Sequence, residues 1–305
     1  MPKKPFRRKQ RITSITIEED ALRYAELRSA APLIIERTEE RPLAEGVISE
    51  GKVMDPKALE VAVEGAVKDW GLRRKRVRFL APDQFVIIRK VETPADVPED
   101  ELKGYFFIEI GSSLYLPFDD PLFDVVPFES EGDGKESIII ASKEEIVRQY
   151  ERALVESKLK PVQCDIAPLA LYRLAYQQHN LDTERNVLIA DFRGNDLTVS
   201  IFHRHQPLFL RPIEIDEEEW TAETAFREIS KLINFYTYNM MDGNETIDCL
   251  FVSGDCSMTD ELSQMFRDQM SLDAGCIRKQ RIEDVAGREV PERFDRVIGL
   301  ALKEV

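Results

Sequence analysis

Residues 11–27, RITSITIEEDALRYAEL, alternate apolar and polar positions. Ile12, Ile15 and Ile17 come before the acidic Glu18, Glu19 and Asp20, and Leu22, Tyr24 and Leu27 come after them. A period of two places successive side chains on opposite faces of a strand, so this stretch predicts a β-hairpin turning at the acidic residues. A third extended piece is expected around Pro32–Ile35. The period then changes. Leu59, Val63, Ala66, Val67 and Trp70 fall on one helical face, with Asp55 as N-cap, Pro56 in the first turn and Gly71 as the stop. VRFLAP, from Val77, reads as a short buried strand.

A second unit opens with a strand through Phe85, Ile87 and Ile88–Val91 that ends at Pro94. Acidic residues then lead a helix carrying Leu102, Phe106, Ile110 and Leu114 at three-to-four spacing. Gly132 and Gly134 separate DVVPFE from the strand SIIIAS, and Ser142 with Glu145 has the form of a capping box for the helix KEEIVRQYERALVESKL. PVQCDIAP is the next strand, which makes 85–165 an inserted α+β unit. A helix from Leu169 to His179 leads on to Val187–Ala190, to the strand of Leu197, Val199 and Ile201, to a turn over His203–Pro207, and to LFLRPIEI. An acidic loop follows at Glu214 and Asp216–Glu219. Next come an amphipathic helix with Phe226, Ile229, Ile233 and Tyr236 inward, the buried strand IDCLFVSG, the helix TDELSQMFRDQM, and a closing helix of Phe294, Val297, Ile298 and Ala301.

Composition narrows the function. A net charge of −15 argues against nucleic acid as the main partner, because phosphate binding wants a basic surface. The acidity is uneven, since Lys3, Lys4, Arg7, Arg8, Lys9 and Arg11 crowd a basic tail over 1–10 and its junction. Such a tail reads as a solvated terminus or as an attractor of anionic lipid. No run approaches the roughly 18 apolar residues of a membrane span, and no apolar signal core is seen. The expectation is a soluble cytoplasmic protein that only a partner would hold at a membrane. Cys164, Cys249, Cys256 and Cys276 lack metal-ligand spacing, and His203 with His205 has no third ligand nearby, so no metal site is expected.

Three turns carry candidate chemistry, and their spacing resembles that of actin-like proteins, where paired strand turns clamp phosphates and a later turn holds adenosine. In IADFRGNDLTVSI, Asp191 ends a strand, Gly194 supplies a turn and Thr198 lies in the next strand. The glycine expected two residues after Asp191 is Arg193. In FVSGDC, Ser253 and Gly254 stand between a strand and a helix, and Glu228 and Lys231 share a helix face within reach of a ribose. The first turn reads Thr16-Ile17-Glu18-Glu19-Asp20, without glycine. Like charges about 4 Å apart repel by about 4 kcal/mol at an effective dielectric near 20, so a triphosphate meets a penalty there.

EGVISEGKVMDPKALEVAVE, RVRFLAPDQFVIIRKVETP, YLPF, SIIIASKEEIVRQYERALVESKLKPVQCDIAPLALYRL and VIGLAL occur in an order and spacing similar to the PilM family of type IV pilus assembly proteins. These are actin-like proteins related to the cell-division protein FtsA. The resemblance implies an α/β, two-lobed actin-like (ribonuclease H-like) fold with an inserted small α+β (SHS2-type) subdomain. The first lobe would span 11–84 plus the helix at 166–181, the insertion 85–165, and the second lobe 182–290, with a final helix at 291–305 packing back on the first lobe.

It also implies a scaffold of type IV pilus or DNA-uptake (competence) machinery on the inner face of the cell membrane. Such a scaffold grips the N-terminal tail of a PilN-like membrane protein and contacts other pilus-assembly inner-membrane proteins and the motor ATPase. Most of the family bind ATP, with Mg2+. Asp191, Gly194, Thr198, Ser253 and Gly254 carry that pattern over in part and the first turn does not, which points to a site without a cofactor. The alternatives are a functional ATPase, a sugar kinase using Asp191 or Asp196, and an FtsA-like filament former.

Overall fold

The computed structural model describes residues 12–128, 134–194, 196–214, 220–254 and 257–303. The basic tail, Gly132, Asp216–Glu219 and Cys256, named above, lie outside these residues. The alternating stretch forms β1 (Thr13–Ile17) and β2 (Ala21–Ser29), followed by β3 (Ile34–Pro42). A small hairpin, β4 (Ile48–Ser49) and β5 (Lys52–Val53), precedes α1 (Pro56–Trp70). The Asp55 carboxylate accepts N–H bonds from Lys57 at 3.0 Å and Ala58 at 2.9 Å, and Gly71 takes a left-handed φ of 71°. The apolar stripe of α1 shares a core with Val77 and Phe79 of β6 (Arg76–Ala81).

The next segment holds β7 (Val86–Thr93), α2 (Leu102–Glu109), β8 (Pro121–Phe128) and β9 (Lys135–Lys143). They make an antiparallel sheet in the order β7-β9-β8, with Leu102 and Phe106 of α2 packed on Ile139 and Ala141. The helix is shorter than its apolar spacing suggests. The backbone N–H groups of Ser112, Ser113 and Leu114 all turn back to the Glu109 carbonyl, so Ile110 and Leu114 meet in an isolated bridge and not on a helical face. The capping box is also absent. Ser142 lies inside β9, paired with Val86 and Leu122, and α3 (Glu144–Glu156) begins without a side-chain cap. The SIIIAS run gains more from sheet pairing on both sides than from an earlier helix start.

β10 (Lys160–Ile166) lies parallel to β6, giving the first sheet the order β10-β6-β1-β2-β3. The stretch 85–165 therefore divides, since α3 packs into the first core and β10 joins its sheet. After α4 (Ala167–His179) come β11 (Val187–Arg193), β12 (Asp196–His203), β13 (Gln206–Glu214), α5 (Ala222–Phe235), β14 (Cys249–Ser253), α6 (Thr259–Met270), β15 (Asp273–Cys276) and α7 (Asp295–Ala301). Phe226 of α5 is only partly buried, whereas Ile229, Ile233 and Tyr236 are in the core. β15, whose DAGC sequence has no strand pattern, completes a second sheet in the order β13-β12-β11-β14-β15.

The two sheets share one plan. In each, three antiparallel strands are followed by two parallel ones reached through helices. Between them run α4 and α7. Leu171 and Leu174 of α4 and Val297 and Ile298 of α7 share a core with Ala25 and Ile35 of the first sheet and Val187, Ile189 and Phe251 of the second. No helix among the described residues is long and apolar enough to cross a membrane.

The two helices touch backbone to backbone at Gly299, where an added Cβ would stand 2.0 Å from the Ala170 carbonyl oxygen. Backbone cannot swing aside as a side-chain end can, so Gly299→Ala is expected to cost about 1–3 kcal/mol. A lowered urea midpoint, followed by circular dichroism, checks this.

Candidate functional site

β1 and β11 occupy matching central positions in the two sheets, and each is followed by a tight turn into its antiparallel neighbour. The turns, at Glu18–Asp20 and around Gly194, line a common cavity of about 370 Å³. Glu19, Gln84, Asp196 and Thr198 are shared with a second cavity of about 650 Å³, which reaches Glu228 and Lys231 of α5. The two cavities therefore form one cleft between the sheets.

The tertiary fold gathers the residues singled out in the second lobe. Across the strand ladders Asp191 is paired with Thr198 on one side and Ser253 on the other, so the three form a row. Gly194 holds the β11–β12 turn at a φ of 56°, and Gly254, at 95°, lets the end of β14 approach the Phe192 carbonyl so closely that a Cβ would stand 2.0 Å from its oxygen. On α5, Lys231 donates to Glu228 at 2.6 Å, and this bond holds the Glu228 carboxyl below its usual range. The two histidines part company. His203 Nδ1 meets Asn186 at 2.7 Å, whereas His205 Nδ1 meets the Tyr172 hydroxyl at 2.6 Å. Among the described residues no cluster of metal-ligating side chains occurs.

The centre of the cleft is filled by arginines that periodicity did not mark. Arg296, on α7, donates through Nε to Asp191 at 2.6 Å and through Nη2 to Asp83 at 2.8 Å. Asp83 follows β6 of the first sheet and Asp191 belongs to β11 of the second, so one guanidinium joins both lobes. Arg193 places Nη2 at 3.4 Å from Asp191 and Nε at 3.8 Å from Glu18. Arg23, on β2, reaches Glu18 at 3.3 Å and Glu40 at 2.7 Å and also pairs with Asp20, while Arg293 joins Glu40 at 2.9 Å. Glu19 accepts the Gly51 N–H at 2.9 Å. The acidic turn is thus tied down by cations of the chain itself.

Burial alone would raise the Asp191 carboxyl, but Arg193 and Arg296 outweigh it and hold the group below its usual range. Asp83 goes the other way, because burial together with Asp191 and Glu18 exceeds what Arg296 supplies. Arg296 is desolvated too, yet Asp191, Asp83 and Glu18 keep its proton more firmly than usual. At the rim, burial and the nearby Glu19 and Glu214 push Asp196 up.

Arg23 sits in β2 between Leu22 and Tyr24, a position that alternation assigns to solvent, yet it is only 2 % exposed. The one local hint of Asp83 is its place just past the buried strand VRFLAP. Arg296 carries no hint, since its helix reads as packing surface.

Two sheets of like topology, with facing turns across a cleft and a helix pair between them, define a two-lobed actin-like protein. Within that class the chain belongs to the type IV pilus assembly protein PilM family, whose sequence pattern matches residues 15–225. A solved PilM-PilN type IV pilus biogenesis complex contains a chain of similar structure, at 19% identity and a TM-score of 0.71, covering 95% of this chain and 97% of that one. A Bacteroides thetaiotaomicron protein of actin-like ATPase fold and unknown function matches at 11% identity and a TM-score of 0.50, over 97% of each chain. The cytoplasmic domain of EpsL, an inner-membrane component of the Vibrio cholerae type II secretion system, matches at 12% and 0.50, over 96% of each.

Asp191→Asn keeps the side-chain shape and removes its charge. Because the folded carboxyl lies below its ordinary value, its ionised form stabilises the fold above about pH 4, and that contribution fades as pH falls through the folded value. The variant is expected to trail the wild type by about 1–3 kcal/mol at neutral pH. The gap should narrow as pH falls below about 4, as read by urea unfolding at several pH values.

Proposed function

We propose that this protein is a docking scaffold of type IV pilus assembly that works without ATP turnover. The observation that carries the reading is the Arg296 bridge between Asp83 and Asp191 at 2.8 and 2.6 Å. A triphosphate with Mg2+ would need that space for metal and phosphate, backbone amides free to approach, and few competing anions. Instead Arg193 stands where glycine would open the second turn, and Glu18, Glu19 and Asp20 line the first. The residues present do not suit the metal-bound triphosphate.

Its partner, in this reading, is the N-terminal tail of a PilN-like inner-membrane protein, which holds the scaffold at the cytoplasmic face of the membrane. Family membership supports this, as does the similarity to a chain from a PilM-PilN complex. The α2–β8 unit offers a suitable surface. β8 pairs only with β9 among the described strands, and its Leu122 and Val126 are exposed while Phe123 and Val125 pack toward α2. An edge strand whose exposed face carries Leu122 and Val126 on either side of Asp124 fits an extended peptide.

A second reading, nucleotide binding, draws on the cavity of about 650 Å³ beside Thr198, Glu228 and Lys231. Calorimetric titration separates the two. ATP with Mg2+ is expected to give no heat of binding at tens of micromolar protein, and micromolar affinity would sink the scaffold-only reading. A PilN-type tail peptide is expected to bind the same preparation, and Leu122→Asp to weaken it by about tenfold or more, equivalent to about 1.4 kcal/mol. Absence of peptide binding would refute the docking assignment.

A further inference from the structure

We propose that the end of the first lobe opposite the cleft is a docking surface for anionic lipid headgroups, so that the chain touches the membrane itself. The proposal goes beyond the docking of a PilN-like tail and does not depend on it.

Two loops build the surface. α1 stops at Gly71 and α3 at Ser157, and the segments that follow carry Arg73, Arg74 and Lys75 on one side and Lys158 and Lys160 on the other. Backbone bonds stitch them together. The Arg74 N–H donates to the Lys158 carbonyl at 2.8 Å, and the Lys160 N–H donates to the Lys75 carbonyl at 2.9 Å. Leu72 and Leu159 are buried beneath and fix both loops to the first core. The five cations are exposed, and among the described residues none of them pairs with a carboxylate. In a chain of net charge −15 that is unusual company, since exposed arginines elsewhere, such as Arg28 and Arg148, lie against Glu36 and Glu144. The helix ends do not call for so much charge. A C-terminal dipole favours cations only within its last turn, where α1 already has Lys68, and Arg73–Lys75 lie past the Gly71 stop.

The basic tail joins the fold at the same end. Thr13 pairs with Val77, next to Arg76, and Arg76 pairs in turn with Lys160. Lys3, Lys4, Arg7, Arg8, Lys9 and Arg11 therefore precede the strand that starts beside the patch. β1 and β6 both run from here toward the cleft, so lipid bound at the patch leaves the cleft facing away from the membrane.

Lipid suits the patch better than nucleic acid does. The two loops hold no aromatic side chain on which a base could stack and no helix to enter a groove. Near the cations in sequence stand Val155, 47% exposed, and Val162, 40% exposed, short apolar side chains that a headgroup layer accepts. An array of cations needs no shape match to be drawn to negative headgroups. The attraction fades within a Debye length, about 8 Å at physiological ionic strength, so this end is drawn in while the acidic remainder stays out of range.

The test sediments the whole chain with vesicles of phosphatidylcholine, alone or mixed with phosphatidylglycerol. Mixed vesicles are expected to carry the protein down at low salt, neutral ones to leave it in solution, and added salt to release it. Arg73→Glu combined with Lys75→Glu and Lys160→Glu is expected to weaken binding by about tenfold or more, since each cation near the surface is worth about fivefold. Its thermal midpoint should stay put, because the replaced side chains are exposed and unpaired. Arg7→Ser combined with Arg8→Ser and Lys9→Ser is expected to keep the share of binding that the patch supplies.

Equal binding to both kinds of vesicle, binding that salt does not release, or a triple patch variant that binds like wild type overturns the proposal. Loss of all binding in the tail variant overturns it too, because the tail would then act alone. Protein that ignores mixed vesicles and binds a DNA duplex overturns it in favour of nucleic acid. Where the triple variant does not fold, Lys75→Gln with Lys160→Gln takes its place under the same criteria. Vesicle binding without recognition of a PilN-type peptide supports this proposal and sinks the docking assignment, and the reverse result sinks this proposal alone.

Discussion

A single guanidinium lies between carboxylates from two sheets, and the geometry of the cleft depends on it. Arg296 is carried on a helix that packs against both lobes, and its partners lie on opposite sides of the cleft, Asp83 just past β6 of the first sheet and Asp191 within β11 of the second. Breaking a buried pair by removing one partner typically costs about 3–5 kcal/mol, because the remaining charge is left unpaired in a poorly solvated place. Around this pair the other charges form a hierarchy. Arg193 compensates the second turn and Arg23 the first, and Glu40 links Arg23 to Arg293. The acidic first turn, repulsive if taken alone, becomes half of a neutralised network.

That network and the apolar packing reinforce each other. α4 and α7 fill the gap between the sheets with Leu171, Leu174, Val297 and Ile298, which sets the distance across which Arg296 reaches. Gly299 permits the close helix contact, and Gly254 lets the β14 turn sit against β11. Neither glycine is needed for a loop's flexibility. Each is needed because a backbone carbonyl occupies the place of its missing Cβ.

The small α2–β8 unit stands apart from this charge network but not from the core. Ile138 of its middle strand lies in the second-lobe core, and Ile88 and Ile140 pack against both lobes' cores. A partner docked on its edge strand would therefore press on a rigid support. This is the physical basis for reading the molecule as a platform: the candidate partner surface and the locked cleft share one packed body.

Local chemistry written in the chain determined much of the architecture. The Asp55–Pro56 start and Gly71 stop of α1, the period-two hairpin of β1 and β2, and the apolar runs of β11 and β14 are legible because each depends on neighbours in sequence. Where a rival local interaction won, the reading slipped, as at Glu109, whose carbonyl gathers the turn that ends α2, and at Ser142, which stayed in its strand. The order of motifs was enough to show the resemblance to the PilM family. The tertiary structure alone decided that the two sheets repeat one topology, that weakly patterned β15 completes the second, and that Asp191, Thr198 and Ser253 stand in a row. It alone placed Arg296, more than a hundred residues from Asp191 and farther still from Asp83, between those two carboxylates. Sequence periodicity reports which face of an element is buried, whereas the meeting of distant charges is set by how the elements are stacked, and no local pattern records that.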